Sequence, residues 1–118
     1  MPQSLVKNYI HLVFSTKHRL HTIDESIQPE LFSYIGGICA NHQCNPVQIG
    51  GYTNHVHVLF MLSKMLPLAK IVEEIKAHSS KWIKTKGEAY RNFYWQNGYG
   101  AFSVNPAEVD VVVNYIKN

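Results

Sequence analysis

Hydrophobic residues follow two different periods along this chain, and the order in which the periods alternate restricts the fold. Runs rich in β-branched and aromatic residues are typical of strands, and apolar residues spaced three and four positions apart are typical of helices. The sequence predicts a strand, a helix, two strands, a helix, a strand and a final helix. In that order they cover residues 9–15, 29–42, 46–51, 52–62, 67–87, 99–104 and 105–118.

The first six of these elements follow the split βαβ order of ferredoxin-like folds. Gly50 and Gly51 supply a tight turn or bulge between the second and third strands. The predicted fold class is therefore α+β, an antiparallel sheet with its helices mainly on one face, plus a C-terminal helix. A chain of 118 residues is long enough for one core, and we expect a single domain over residues 1–118.

The C-terminal helix has the clearest start signal in the sequence. Asn105 is a favourable N-cap, Pro106 occupies the first helical position, and Glu108 completes a pattern like a capping box. Its apolar stripe consists of Val109, Val112, Val113 and Ile116. Tyr115 lies about 110° from the middle of that stripe. The ring can therefore pack along the protein with its hydroxyl accessible; a partly buried packing tyrosine is the alternative.

Two histidines, His55 and His57, lie in the predicted third strand, which is otherwise apolar. Residues two apart in a strand point to the same face, so the two imidazoles leave the sheet side by side, roughly 6–7 Å apart at Cα. That spacing suits two rings that converge on one cation. The alternative is a pair of core histidines whose polar atoms bond to backbone carbonyls or water, and spacing alone leaves both interpretations open.

The charge balance is mildly basic, with 11 Lys and Arg against 8 Asp and Glu and a formal charge of +3. This balance is compatible with a polyanionic partner but does not require one. The basic residues on the second helix and the following loop are the candidates for phosphate contact. They are Lys76, Lys81, Lys84 and Arg91. The alternative is that they solvate the surface and complement the helix dipole.

The remaining features restrict the compartment more than the activity. Cys39 and Cys44 fit neither a disulfide framework nor a Cys-x-x-Cys pair. With His42 they could contribute to a zinc site, but no fourth ligand is evident, and we expect a buried Cys39 and an ordinary loop Cys44. Residues 1–5 lack the pattern of a secretory signal, and no apolar stretch is long enough to span a membrane. A cytoplasmic protein is expected.

Four motifs, taken together and in this order, resemble a known family. They are the His-hydrophobic-His strand, the helix ending Lys-x-x-Ser-Ser-Lys-Trp-Ile at 76–83, the run Trp-Gln-Asn-Gly-Tyr-Gly-Ala-Phe-Ser-Val at 95–104, and the terminal helix with Tyr115-Ile116. From residue 9 to residue 118 the chain resembles the single-tyrosine HUH transposases of the smallest bacterial insertion sequences. It also resembles the related REP-associated tyrosine transposases.

This resemblance implies a metal-dependent endonuclease and strand transferase. The enzyme would act as a homodimer on single-stranded DNA with hairpin ends, without a nucleotide cofactor or a membrane. The terminal helix of one subunit often serves the histidines of the other in this family. By resemblance, His55 and His57 hold a divalent cation, Mg²⁺ or Mn²⁺, and Tyr115 attacks phosphorus to form a 5′-phosphotyrosine link.

The family commonly places a third metal ligand, often Gln, four residues after the tyrosine. That position is 119, whereas the sequence ends at Asn118, three residues after Tyr115 and with a shorter side chain than Gln. A site with two histidines and no third ligand is expected to hold metal weakly and to favour manganese, nickel or zinc.

Two other functions remain open at this point. One is a catalytically silent DNA-binding remnant of the same fold. The other is a ferredoxin-like RNA-binding module, which would need exposed aromatic side chains on the sheet. We expect most aromatic positions of this sequence to be in the core.

Overall fold

The protein is described by a computed structural model that covers residues 7–118. Its four strands are β1 (Tyr9–Ser15), β2 (Pro46–Gly51), β3 (His55–Met61) and β4 (Gly100–Val104). Its three α-helices are α1 (Gln28–Asn41), α2 (Leu68–Lys84) and α3 (Val109–Lys117). Short 3-10 turns occupy Lys17–Arg19, Glu88–Tyr90 and Pro106–Glu108. The expectation that residues 1–5 are not a secretory signal lies outside the described residues.

The four strands form one antiparallel sheet in the order β2-β3-β1-β4. The central strands β1 and β3 pair with Val13 opposite His57 and Ser15 opposite His55. This is the predicted α+β architecture, and the prediction is confirmed. The insertion of β3 between β1 and β2 gives the split βαβ order that the sequence indicates.

The main core lies between one face of the sheet and helices α1 and α2. Alternate residues of β1 and β3 point into it and are almost fully buried, together with apolar residues of both helices. The buried strand residues are Ile10, Leu12, Phe14, Val56, Val58 and Phe60. Burial of each such side chain contributes roughly 1.5–3 kcal/mol relative to exposure. The intervening residues of both strands, which include the histidines, must then point to the opposite face.

Helix α3 lies on that opposite face, packed against β2. Gly50 lies under Ile116, and a Cβ at Gly50 would be 2.8 Å from Ile116 Cγ2 and 3.0 Å from its carbonyl oxygen. Ile116 is the buried residue of the helix. The absence of a side chain at Gly50 therefore lets the helix backbone approach the sheet closely, beside the histidine-bearing strand.

The predicted cap at the start of this helix is present with one difference. Asn105 Oδ1 accepts a hydrogen bond from the Ala107 N–H at 2.9 Å, and the Asn105 carbonyl accepts one from the Glu108 N–H at 2.7 Å. The first turn is a 3-10 turn, and the α-helix begins at Val109.

The structure adds detail to two expectations about side chains. Cys44 is in a loop, as expected, but it is fully buried, and its sulfur accepts a hydrogen bond from the Ser63 N–H at 3.4 Å. Most aromatic residues are buried or half-buried, as expected, but four besides Tyr115 are exposed. They are Tyr52, Tyr94, Tyr99 and Phe102. Phe102 pairs with His11 and so points to the face of the sheet opposite α1 and α2, where it lines a cavity.

The possible zinc site at Cys39 and Cys44 finds no support in the described part of the chain. Within residues 7–118 no group of three metal-ligating side chains converges. Burial raises the pKa of Cys39 to about 12, and His42 bonds to the Ile38 carbonyl and to Glu74 instead.

None of the helices between residues 7 and 118 has the length and apolar character needed to cross a bilayer.

Candidate active site

Three elements bring two histidines of β3, a histidine of β1 and the tyrosine of α3 around one open cavity. The cavity has a volume of about 580 Å³, and His11, His55, His57 and Tyr115 contribute to its wall. It lies on the face of the sheet opposite α1 and α2. The three residues that the sequence singled out, His55, His57 and Tyr115, are therefore neighbours.

The rings of His55 and His57 are adjacent, as their positions in β3 require. Their centroids are 5.0 Å apart and their planes are 85° to each other. Two imidazoles that bind one cation through nitrogen at about 2.1 Å have centroids about 5 Å apart in a tetrahedral arrangement. The spacing of the pair therefore fits two ligands of a single divalent ion.

Asn54 fixes the orientation of His55. The Asn54 Oδ1 atom lies 2.9 Å from His55 Nδ1, and Asn54 Nδ2 donates to the Arg19 carbonyl at 3.4 Å. Because the amide oxygen can only accept, His55 carries its proton on Nδ1. Its Nε2 atom then keeps a lone pair, as a metal ligand requires.

His11 is a member of this cluster that sequence reasoning missed. Its Nε2 atom lies 2.9 Å from His57 Nδ1, and the two rings stack with centroids 5.1 Å apart. The sequence does contain a signal, since His11 alternates with the buried residues of β1 and so belongs to the opposite face. The contact itself depends on the register between β1 and β3, which local sequence does not encode.

The surroundings keep all three histidines neutral at pH 7. Burial, followed by the positive charges of His11 and His55 when these are protonated, lowers the pKa of His57 to about 4. Burial, followed by the charge of Arg19, lowers the pKa of His55, and burial lowers that of His11. Neutral imidazoles have free lone pairs, so the site favours a bound cation over bound protons.

Tyr115 is 66% exposed, although its helix is packed against the sheet. Its ring meets His57 edge-on with centroids 5.6 Å apart, and it meets His11 at 6.1 Å. Asn118, the C-cap residue that follows this helix, lines a smaller cavity of about 290 Å³ next to both β3 histidines. The position of Tyr115 beside the apolar stripe agrees with the helical spacing in the sequence.

Lys76, one of the predicted phosphate contacts, is engaged within the protein. Its Nζ donates to the Gln96 carbonyl at 2.7 Å and to the Gly98 carbonyl at 2.9 Å, and burial lowers its pKa. Gly98 lines the cavity, whereas Lys76 does not. In this structure Lys76 therefore supports the cavity wall.

The other three predicted phosphate contacts lie outside the cavity. Lys84 bonds to Ser80 and lies 4.3 Å from the centroid of the Tyr94 ring. Arg91 pairs with Glu88, and Lys81 is exposed. Their contact with DNA stays a prediction.

Comparison with known proteins provides an independent line of evidence. Residues 4–118 match a family model described as "Transposase IS200 like". The crystal structure of a candidate transposase from Deinococcus radiodurans R1 superposes with a TM-score of 0.76 at 18% identity, over 100% of this chain and 95% of that one. A REP-associated tyrosine transposase bound to a REP hairpin gives a TM-score of 0.67 at 15% identity, over 98% and 68% of the two chains. No curated protein matches in sequence.

Proposed function

We infer that this chain, which belongs to the IS200-like transposase family, nicks and rejoins single-stranded DNA through a covalent link to Tyr115. The observation that carries this proposal is the contact between Tyr115 and His57. An exposed tyrosine ring lies edge-on to a neutral histidine, and both line a cavity of about 580 Å³. The residues therefore supply a nucleophile and two metal ligands at one place.

The chemistry assigns distinct roles to these residues. The Tyr115 oxygen attacks phosphorus, the bond from phosphorus to the 3′ oxygen breaks, and a 5′-phosphotyrosine and a free 3′-hydroxyl remain. The phenol proton leaves to the solvent of the open cavity, and the departing 3′ oxygen takes a proton from solvent. The link keeps the energy of the phosphodiester, so a 3′-hydroxyl can attack it and rejoin the strand.

The nucleophile needs assistance, because a phenol with a pKa near 10 is only about 0.1% ionised at pH 7, equivalent to roughly 4 kcal/mol. His55 and His57 would hold the divalent cation, Mg²⁺ or Mn²⁺. When bound, the cation would withdraw charge from the scissile phosphate. A pair of nitrogen ligands favours Mn²⁺ over Mg²⁺, which prefers oxygen. Water and phosphate oxygens would complete the coordination.

We further propose a homodimer that acts on DNA with hairpin ends. A REP hairpin is bound to one structural relative, which supports a hairpin partner here. The contact between Tyr115 and the histidines within a single chain supports a site that each subunit completes by itself. The exposed lysine Lys81, with Lys84 and Arg91, would hold the DNA beyond the cavity.

A second function, binding DNA without cleaving it, is favoured by one observation. Among residues 7–118 no third ligating side chain joins His55 and His57, because His11 bonds to His57 instead of converging on a shared point. Weak metal binding would leave a fold that recognises DNA but does not react with it.

A covalent adduct distinguishes the two functions. The protein is incubated with Mn²⁺ and a labelled single strand taken from the flanks of its own gene, with the hairpin included. We expect an adduct that resists denaturing electrophoresis and that mass spectrometry assigns to Tyr115. Tyr115→Phe should bind the strand and form no adduct. Tyr99→Phe, which changes another exposed tyrosine of the same cavity, is the matched control and should react. Adduct on Tyr90, Tyr94 or Tyr99 would overturn the assignment.

A further inference from the structure

We propose that Arg19 is the side chain that binds the scissile phosphate, an inference that rests on the proposed function. Arg19 lines the cavity together with His55, His57 and Tyr115. Among the described residues that line it, Arg19 is the single lysine or arginine, and none is an aspartate or glutamate. A phosphate that enters the cavity would therefore meet one fixed positive charge and no fixed negative charge.

The backbone that carries Arg19 is strained. His18 and Arg19 both have left-handed backbone angles, with φ of 57° and 55°. Residues other than glycine rarely adopt this conformation, because Cβ approaches the following carbonyl oxygen. Two such residues in succession need support from their surroundings, and strain of this kind concentrates at functional sites.

Side chains from three directions hold the strained turn. Gln96 Oε1 accepts a hydrogen bond from the His18 N–H at 2.9 Å, and Asn54 Nδ2 donates to the Arg19 carbonyl at 3.4 Å. Thr16, which is buried, donates from Oγ1 to the Leu20 carbonyl at 2.6 Å. Asn54 is also the residue that orients His55. One side chain therefore links the position of Arg19 to that of a metal-ligand candidate.

The guanidinium group is available to a ligand. Within residues 7–118 no carboxylate lies at ion-pairing distance from Arg19, whereas Arg91 is paired with Glu88. Arg19 is also exposed. Arg19 lines the same cavity as His55, and Asn54 contacts both the Arg19 carbonyl and the His55 ring. A phosphate held near His55 would therefore lie close to Arg19.

Arginine suits this task by its chemistry. Its planar group donates two parallel N–H bonds to two oxygens of one phosphate, and it stays protonated throughout. When the Tyr115 oxygen bonds to phosphorus and the 3′ oxygen departs, negative charge increases on the non-bridging oxygens. A donor aimed at those oxygens stabilises this state more than the starting phosphate. The same contact serves the reverse attack by a 3′-hydroxyl.

Arg19→Gln and Lys70→Gln test the proposal. Lys70 lies on α2 beside Glu73 and Glu74, outside the cavity, so its substitution removes an equal charge elsewhere. We expect Arg19→Gln to slow adduct formation in single turnover by about 10²- to 10³-fold, and Lys70→Gln to leave it unchanged. Arg19→Lys, which keeps the charge but loses the paired donors, should fall between them. An unchanged rate for Arg19→Gln, with wild-type adduct present, would overturn the proposal and leave the proposed function standing.

A binding measurement tests the phosphate contact without any reaction. In metal-free Tyr115→Phe, so that no cation contacts the phosphate, the affinity is measured for a series of strands that each carry one uncharged methylphosphonate. We expect one position to weaken binding roughly ten- to a hundredfold, and that loss to disappear when Arg19→Gln is added. The proposal is wrong if the methylphosphonate still weakens binding in the presence of Arg19→Gln, or if Arg19→Gln weakens the binding of all strands equally. Arg19 would then contact a base or act only through its charge. The expected pattern without wild-type adduct would support Arg19 as a phosphate ligand and contradict the cleavage function. Circular dichroism of each variant checks the fold.

Discussion

His11 Nε2 and His57 Nδ1 lie 2.9 Å apart, a contact between the two central strands of the sheet. His57 therefore has one ring nitrogen engaged and the other left for a ligand. When His57 donates from Nδ1, its Nε2 atom keeps the lone pair that a cation needs. With His57 as the donor, the contact does for His57 what Asn54 does for His55, and a polar neighbour orients each histidine of the pair.

We predict that His11→Phe weakens metal binding by about 10- to 100-fold, the usual effect of removing such a partner. Phenylalanine keeps a ring against His57 but has no nitrogen for the hydrogen bond between the two side chains. Calorimetric titration of Mn²⁺ into the protein measures the change. His78→Gln, which removes an exposed histidine from α2, is the control and should bind as the wild type does. Equal affinity of His11→Phe and wild type would show that the contact does not orient His57.

Substitution of the ligand pair gives a second prediction. His57→Ala should abolish cleavage in Mn²⁺. It should leave the fold intact, because His57 is only half-buried and lies outside the main core. Removal of metal from the wild-type protein with a chelator should have the same effect, reversed by added Mn²⁺. The labelled-strand assay measures both. A wild-type rate for His57→Ala would exclude the metal-site interpretation.

The stability of the metal-free protein should fall in mild acid. The pKa of His57 is about 4 in the folded state and near 6.5 when unfolded, so the unfolded state binds the proton more readily. The stability that neutral His57 contributes is fully present above about pH 6.5 and is lost as the pH falls towards 4. Allowing for solvent screening of a half-buried group, the loss is on the order of 1–2 kcal/mol. Urea midpoints at pH 7, 6 and 5 measure it.

His57→Gln provides the comparison for that experiment. It should show a smaller decrease over the same range, with the remainder arising from His11 and His55, whose pKa values are also lowered. If wild type and His57→Gln lose stability in parallel, the acid sensitivity comes from other groups.

The sequence predicts the elements well, because their hydrophobic periods are local. All seven predicted helices and strands are present, and the bounds of β1 and β2 agree to the residue. The third strand begins at His55 instead of position 52. The reason is that the Tyr52 N–H bonds to the His55 carbonyl, and the Thr53 carbonyl accepts from the Ile23 N–H, so residues 52–54 form a turn.

The site is less accessible to prediction, because its remaining members depend on contacts distant in sequence. His11 meets His57 through strand register, and Arg19 reaches the cavity through a left-handed turn held by Gln96 and Asn54. Lys76 is the opposite case. In the sequence it is a free charge, whereas in the structure its amine bonds to two carbonyls of the segment beside the cavity.

The close approach of Gly50 and Ile116 gives the last prediction. A methyl group at position 50 would lie 2.8 Å from Ile116 Cγ2 and 3.0 Å from its carbonyl, so Gly50→Ala should displace α3 and move Tyr115 away from His57. We expect a loss of about 1–3 kcal/mol in stability, typical of overpacking, and a marked loss of adduct. Gly37→Ala is the matched control, because a Cβ there would meet nothing within 4 Å. It lies inside α1, where alanine should stabilise by roughly 0.5–1 kcal/mol and leave the reaction unchanged. Thermal melts and adduct assays on both variants measure this, and full activity in Gly50→Ala would mean that Tyr115 does not depend on this packing.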